Sequence, residues 1–144
     1  MADESNNPDA FGQVTGEGFH ELVGHRLARW EENLAELVLD VDARHLNRSG
    51  VLHGGVLSTL IDAVCGFAGC YSPDPADRRG CITLSLTVSF TGQVSGGTIR
   101  AVGRRRAGGR RIFAATGEVF SADGELIAMG EGTFRLRSTP LAAE

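Results

Sequence analysis

The sequence predicts an α+β domain in which an antiparallel sheet wraps around one long central helix. Three observations predict it: one long helical pattern of apolar residues over 54–71, a strand pattern before it, and four strand-length segments after it. The 144 residues, 42% hydrophobic and 22% charged, suffice for one core. We expect residues 1–16 to form a flexible N-terminal leader, because they are polar and lack periodicity, and residues 17–144 to form a single domain.

Two elements and a loop are expected ahead of the central helix. Apolar residues recur at helical spacing over 17–27 and predict a short helix there. Residues 29–41 are predicted to form one strand, because apolar and polar side chains alternate in its second half. The Asn, Ser and Gly content of residues 45–55 predicts a loop that leads into the helix.

The second half of the chain has the alternation of β-strands. Residues 82–91 alternate apolar and hydroxyl side chains almost without exception, which predicts a half-buried strand with Thr83 on its polar side. Three further strands are expected over 98–106, 110–120 and 126–137, separated by turns that contain glycine. Together these segments predict an antiparallel meander.

Charge and targeting signals narrow the class of protein. The net charge of −4 argues against a nucleic-acid partner, because neutralising phosphates needs a positive field. The N-terminus has no apolar signal segment and no run approaches 18 apolar residues, so we expect no membrane partner and a cytoplasmic location. All fourteen basic residues are Arg, which excludes a Schiff-base lysine.

The cysteines and histidines predict neither a disulfide framework nor a metal site. Cys65, Cys70 and Cys81 are odd in number, lack C-x-x-C spacing and lie in predicted core elements. We expect them to be buried free thiols in a reducing compartment. The histidines have no metal-ligand spacing, and no metal or redox cofactor is expected.

The residues that can carry chemistry cluster at the start of the central helix. Gly54 and Gly55 lie where a helix leaves its first N–H groups unpaired, so their amides can point at an oxyanion. Asp62, about two turns further on, can act as base or nucleophile. The alternatives are ordinary structural roles: a solvated carboxylate for Asp62, a helix-entry device for the glycines, a hydrogen-bonding anchor for His53 and a turn residue for Asn47.

The order Asn47, His53-Gly54-Gly55, Asp62 resembles the hot-dog fold acyl-CoA thioesterases of the phenylacetate-degradation (PaaI-like) family, over about residues 17–137. The resemblance implies hydrolysis of an aryl-acetyl or medium-chain acyl-CoA to the free acid and CoA. It implies that Asp62 attacks the thioester carbonyl or activates water, that the Gly54 amide polarises the carbonyl, and that Asn47 and His53 position the reacting groups.

Two further groups are candidates for the same site. The resemblance implies that the Thr83 hydroxyl holds the attacking water near the acid, whereas a plain β-former on a solvated face is the alternative. Five arginines surround one predicted turn, at positions 104, 105, 106, 110 and 111. A solvated basic turn is the default, but guanidinium groups match phosphates, so Arg110 and Arg111, with Gly55, are candidates for binding CoA.

The expected partners are the acyl-CoA substrate and further copies of the chain. Coenzyme A enters only as part of substrate and product, so no separate cofactor is expected. A sheet around one helix leaves edge strands exposed, and the resemblance implies a homodimer, or a homotetramer built as a dimer of dimers, with shared active sites. The rival functions are a hot-dog dehydratase acting on acyl-CoA or acyl carrier protein, and a non-catalytic acyl-CoA-binding protein.

Overall fold

A computed structural model describes residues 18–140, and the expected leader over 1–16 lies outside them. In chain order its elements are α1 (Gly18–Val23), β1 (Arg26–Glu31), β2 (Leu34–Asp40), α2 (Gly54–Cys70), β3 (Arg79–Phe90), β4 (Thr98–Gly108), β5 (Ile112–Phe120) and β6 (Leu126–Pro140). Within this range, no helix has the length and apolar character needed to cross a membrane.

The six strands form one antiparallel sheet in the order β1-β2-β4-β5-β6-β3, and α2 packs on one of its faces. The predicted α+β class and the predicted central helix are confirmed, with α2 ending at Cys70. Leu60, Ile61 and Val64 of α2 are fully buried against the sheet. The apolar stripe of the helix therefore forms the centre of the core.

The region before α2 differs from the sequence expectation. Helix α1 ends at Val23, so Leu27 belongs to a strand rather than to the predicted helix over 17–27. The single strand predicted over 29–41 is wrong, because β1 and β2 form a hairpin in which Glu31 pairs with Leu34. Asn33 takes a left-handed backbone conformation with φ 64° at this turn, which Asn tolerates better than most residues.

The strand after α2 pairs differently from a meander. Strands β4, β5 and β6 are consecutive neighbours, as expected. In a meander β3 would pair with β4, but here it pairs with β6. The reason is that β2 already occupies the free edge of β4, from Leu34 opposite Arg104 to Asp40 opposite Thr98. Strand β3 consequently forms one edge of the sheet.

A bulge in β3 reverses the expected orientation of its first residues. Thr83 pairs with Phe134 and Ser85 pairs with Thr133, so Leu84 is an extra residue on β3. Unbroken alternation would place Thr83 on the face opposite Leu86, which packs against the core. With the bulge, Thr83 and Leu86 both face α2. The prediction from alternation alone, that Thr83 lies on the polar side of the strand opposite Leu86, is therefore wrong.

Candidate active site

Asp62 lies half-buried in the middle of α2, on the side that faces β3. The Oγ1 hydroxyl of Thr83 donates a hydrogen bond of 2.6 Å to its Oδ1 atom. This distance is typical of a hydroxyl that donates to a carboxylate, and it places the two groups in direct contact. The structure thus brings together two of the residues that the sequence analysis selected, 21 positions apart in the chain.

A cavity of about 350 Å³ opens beside this pair. Four aromatic side chains line it, namely Phe19, Trp30, Phe67 and Phe134. The polar and sulfur-containing side chains of the lining are those of His20, Thr59, Asp62, Cys70, Arg79, Cys81 and Thr83. A largely apolar cavity with a few polar groups at one side is the usual form of a small-molecule site.

The aromatic wall of the cavity is held rigidly. The Trp30 indole is 2% exposed and donates from Nε1 to the carbonyl oxygen of Phe67 at 2.7 Å. The two rings meet edge to face, with centroids 5.5 Å apart. The guanidinium of Arg78 lies 5.0 Å from the Trp30 ring centroid on a ring face. These contacts fix the shape of the pocket independently of any ligand.

The loop before α2 supplies one free amide rather than two. His53 is the N-cap residue of the helix, and its Nδ1 accepts a hydrogen bond of 2.7 Å from the Gly55 N–H. A Cβ at position 55 would lie 2.9 Å from this Nδ1, so Gly55 makes room for the cap. The Gly54 N–H has no acceptor among the described residues and is the amide available to an oxyanion.

The side chains of Asn47 and His53 each have a defined donor. The Asn47 Oδ1 accepts from the Ser49 N–H at 2.9 Å and the Val51 N–H at 3.3 Å, which leaves its amide NH2 group to donate. Because Nδ1 of His53 is an acceptor, its neutral ring carries the proton on Nε2. Both side chains are exposed, so both donors can reach a ligand.

The two groups of candidate residues do not meet within one chain. Asp62 follows Gly54 by eight helical residues, which separates them by about 12 Å along the helix axis. Asp62 and Thr83 line the cavity, whereas Asn47, His53, Gly54 and Gly55 do not. One carbonyl group cannot touch the Gly54 amide and Asp62 of the same chain.

The arginine cluster divides into different environments. Arg105 donates to the Gly109 carbonyl, and Arg106 donates to a threonine hydroxyl on the sheet. Arg110 and Arg111 are exposed in the β4–β5 turn and do not line the cavity. The arginine that does line it is Arg79, at the start of β3, which the sequence analysis did not select.

A histidine pair is a second feature that the sequence analysis missed. The Nδ1 of His20 lies 2.6 Å from the Nε2 of His25, and His25 is 3% exposed. Burial, and to a smaller extent the charge of the neighbouring His20, lower the pKa of His25 to about 4. Burial also lowers the pKa of His20, and the Asp62 carboxylate partly opposes that change. No periodicity in the sequence pointed to His20.

The two cavity thiols had a recognisable signal. Cys81 precedes Thr83 by two strand positions, and Cys70 follows Asp62 by eight helical positions, so each shares a face with a selected residue. Cys70 is buried and Cys81 is half-buried. Among residues 18–140, the side chains form no group of three or more His, Cys, Asp or Glu that could hold a metal ion.

Known proteins with similar sequences and structures identify the family of this chain. The sequence profile of the "Thioesterase superfamily" matches residues 49–128. A Pseudomonas aeruginosa protein named "Putative esterase PA0474" is 33% identical over 119 residues, which cover 81% of this chain and 86% of that protein. The conserved protein PA5202 of the same organism superposes with a TM-score of 0.76 at 31% identity, covering 87% of this chain and 98% of that one.

A more distant structure has the same fold. The PaaI protein from the phenylacetic acid degradation operon of E. coli superposes with a TM-score of 0.79 at 20% identity, over 91% of this chain and 92% of that one. The six-stranded antiparallel sheet around α2 is the hot-dog fold expected from the resemblance. The profile match and the identity to relatives show that this chain is a hot-dog enzyme of the thioesterase superfamily.

Proposed function

We propose that this enzyme hydrolyses acyl-CoA thioesters and that Asp62 is the general base. The observation that carries the proposal is the Thr83–Asp62 hydrogen bond in the wall of an aromatic cavity. A carboxylate held by a hydroxyl beside an apolar pocket suits an acyl group whose carbonyl lies at the carboxylate. Family membership supports hydrolysis of an ester or thioester bond.

The geometry favours a base over a nucleophile. The Thr83 hydroxyl donates its only hydrogen to Oδ1 of Asp62. The lone pairs of the Thr83 oxygen and the Oδ2 atom of Asp62 therefore remain available as acceptors. A water molecule can donate one hydrogen to each of these acceptors and direct a lone pair at the thioester carbon. Asp62 then takes the proton of the attacking water, the carbon–sulfur bond breaks, and the CoA thiolate leaves and is protonated.

A second copy of the chain completes the site in this proposal. The Gly54 amide and the Asn47 NH2 group are free donors suited to the carbonyl oxygen, but about 12 Å of helix separates Gly54 from Asp62 of its own chain. Strand β3 is a long edge strand with exposed Ile82, Leu84 and Phe90, at 42%, 53% and 56% exposure. Such an edge pairs readily with another strand.

In the proposed homodimer, two protomers pair through their β3 strands. Asp62 of one protomer then works with the loop before α2 of the other. Ile112 and Met129 are exposed on strands of the same sheet, at 48% and 46%. These apolar side chains support a further pairing of two dimers into a tetramer.

The pocket favours an aromatic acyl group. Its four aromatic walls and volume of about 350 Å³ suit an aryl-acetyl group or a medium-chain acyl group. The shared fold with a protein from a phenylacetic acid degradation operon supports the aryl-acetyl choice. We therefore propose a thioesterase of the PaaI-like type, in which CoA is part of the substrate and the product.

The test is the release of free CoA from a panel of aryl-acetyl and aliphatic acyl-CoAs. Asp62→Asn is nearly isosteric and removes the base, so turnover should fall by about two orders of magnitude or more. Asp123→Asn, in an exposed turn, is the matched control and should turn over like the wild type. A normal rate for Asp62→Asn would remove Asp62 from the reaction.

A dehydratase or hydratase is the second candidate, and one observation favours it. His20 and Asp62 line the same cavity, and such enzymes need an acid and a base on neighbouring carbons of the acyl chain. An assay with a short 2-enoyl-CoA distinguishes the two reactions. Hydration of its double bond is measured as the loss of the conjugated absorbance. CoA release without hydration supports the thioesterase, whereas hydration without CoA release supports the rival.

A further inference from the structure

Two thiols lie in the cavity wall next to Asp62. Gly66 follows Asp62 by one helical turn, and Cys70 follows Gly66 by another, so the three share one side of α2. A Cβ at Gly66 would lie 3.1 Å from the Sγ atom of Cys81 on β3. The missing side chain at Gly66 therefore lets the Cys81 sulfur lie against the helix, one turn from Cys70. Both cysteines line the cavity.

The two sulfurs form an unequal pair. Hydrogen bonding with the Cys70 side chain lowers the pKa of Cys81, and the Arg137 guanidinium also lowers it, whereas burial and the Asp62 charge raise it. The same contact, together with burial, raises the pKa of Cys70. Cys81 is thus the more acidic thiol of the pair. Cys81 is half-buried, so a small molecule can reach it through the cavity.

The third cysteine lacks these features. Cys65 is fully buried, and burial raises its pKa to about 12, with a smaller contribution from Asp62. At pH 7 this thiol is almost entirely protonated, so it reacts slowly with oxidants. The chain therefore contains its own matched control for thiol reactivity.

We propose that Cys81 is a site of reversible oxidation by hydroperoxides, with Cys70 as its resolving thiol, and that the disulfide closes the cavity beside Asp62. The Cys81 thiolate attacks one oxygen of the hydroperoxide, the O–O bond breaks, and a sulfenic acid and hydroxide form when the oxidant is hydrogen peroxide. The Cys70 sulfur then displaces hydroxide from the sulfenic acid. The thiol proton of Cys70 joins this hydroxide to give water.

The disulfide acts on the site through its two attachment points. It ties the start of β3 to the end of α2, and Cys81 lies two residues before Thr83. Drawing the sulfurs to bonding distance removes free space from the cavity wall and displaces Thr83 from Asp62. The effect on activity rests on the proposed thioesterase function, whereas formation of the disulfide does not.

In the test, the whole chain is treated with hydrogen peroxide, and its intact mass, its free thiols and its thioester hydrolysis are measured. The expected mass change is the loss of two hydrogens, and free thiols should fall from three to one, with Cys65 remaining. Peptide mapping should recover a Cys70–Cys81 cross-link. Hydrolysis is followed by the decrease in thioester absorbance, an assay that needs no thiol reagent. Peroxide should abolish this activity, and dithiothreitol should restore it.

Single variants separate the two roles. Cys81→Ser should resist peroxide, and Cys70→Ser should oxidise at Cys81 to the sulfinic acid, which dithiothreitol does not reverse. Cys65→Ser should behave like the wild type. The absence of the cross-link in the oxidised wild type overturns the proposal even if a variant fails to fold. A cross-linked protein with full activity overturns the closing of the cavity. If no acyl-CoA is hydrolysed, the function fails while the mass measurement still decides the thiol pair.

Discussion

The Thr83 hydroxyl donates a 2.6 Å hydrogen bond to Oδ1 of Asp62 and joins strand β3 to helix α2 at the wall of the cavity. This contact exists because Leu84 is an extra residue in β3, opposite no residue of β6. Bulges commonly re-aim side chains beside active sites. The relationship makes Thr83 the residue whose replacement most directly tests the position of the carboxylate.

Thr83→Val should lower kcat, whereas Thr83→Ser should retain most of it. A hydrogen bond to a charged group contributes about 1.5–3 kcal/mol, so the loss for Val should be about tenfold to 100-fold. Val and Thr have nearly the same shape, which keeps the strand intact. Steady-state kinetics on the best acyl-CoA give the measurement. Equal rates for all three proteins would separate this hydroxyl from the reaction.

Mixing two inactive variants should restore activity if the sites are shared between protomers. Each proposed site contains Asp62 of one protomer and Asn47 of the other. A mixed dimer of Asp62→Ala and Asn47→Ala chains therefore carries one intact site and one site that lacks both side chains. Random pairing should give about one quarter of the wild-type rate. The measurement is CoA release after the two proteins are co-refolded, with mixed dimers confirmed by differently tagged chains. Inactive mixed dimers would place every group within one protomer.

Arg110→Ala and Arg111→Ala should raise KM for acyl-CoA if these exposed arginines bind the CoA phosphates. The increase should shrink with added salt, because exposed charges are screened over about 10 Å at 0.1 M. An acyl thioester without the nucleotide is the substrate control, and Arg100→Ala, an exposed arginine on β4, is the variant control. The same KM change with both substrates would indicate a structural effect, and no change would leave a solvated turn.

Acidification should destabilise the protein through His25. Its pKa in the folded protein is about 4, below the ordinary value of 6.5, so the unfolded chain binds a proton that the folded protein does not. The free energy of unfolding should therefore be unaffected above pH 6.5 and fall as the pH decreases from 6.5 to 4. The total decrease in the free energy of unfolding that His25 causes is about 3 kcal/mol.

Urea unfolding at several pH values measures this dependence. His25→Leu should flatten the pH profile, leaving a smaller slope from His20, whose pKa burial also lowers. A His25→Leu profile as steep as that of the wild type would mean that other groups cause the acid sensitivity.

The sequence by itself determined the elements whose signal is local. Residues 54–71 have the apolar periodicity of a buried helix, and α2 spans nearly the same residues because that stripe is what packs on the sheet. The His53-Gly54-Gly55 run at its start and Asp62 within it follow from the same short segment. The three strands from β4 to β6 were likewise predictable, since each needs only its own alternation and a turn.

Only the tertiary structure decided the features that depend on a distant partner. The turn at Asn33 divides a continuous strand pattern, and the pairing of β3 with β6 follows from β2 occupying the edge of β4. The bulge at Leu84 is set by the register against β6, and it alone turns Thr83 toward Asp62. Alternation along one strand specifies two faces, but the face that meets the helix depends on strand pairing, which residues far apart in the chain determine together.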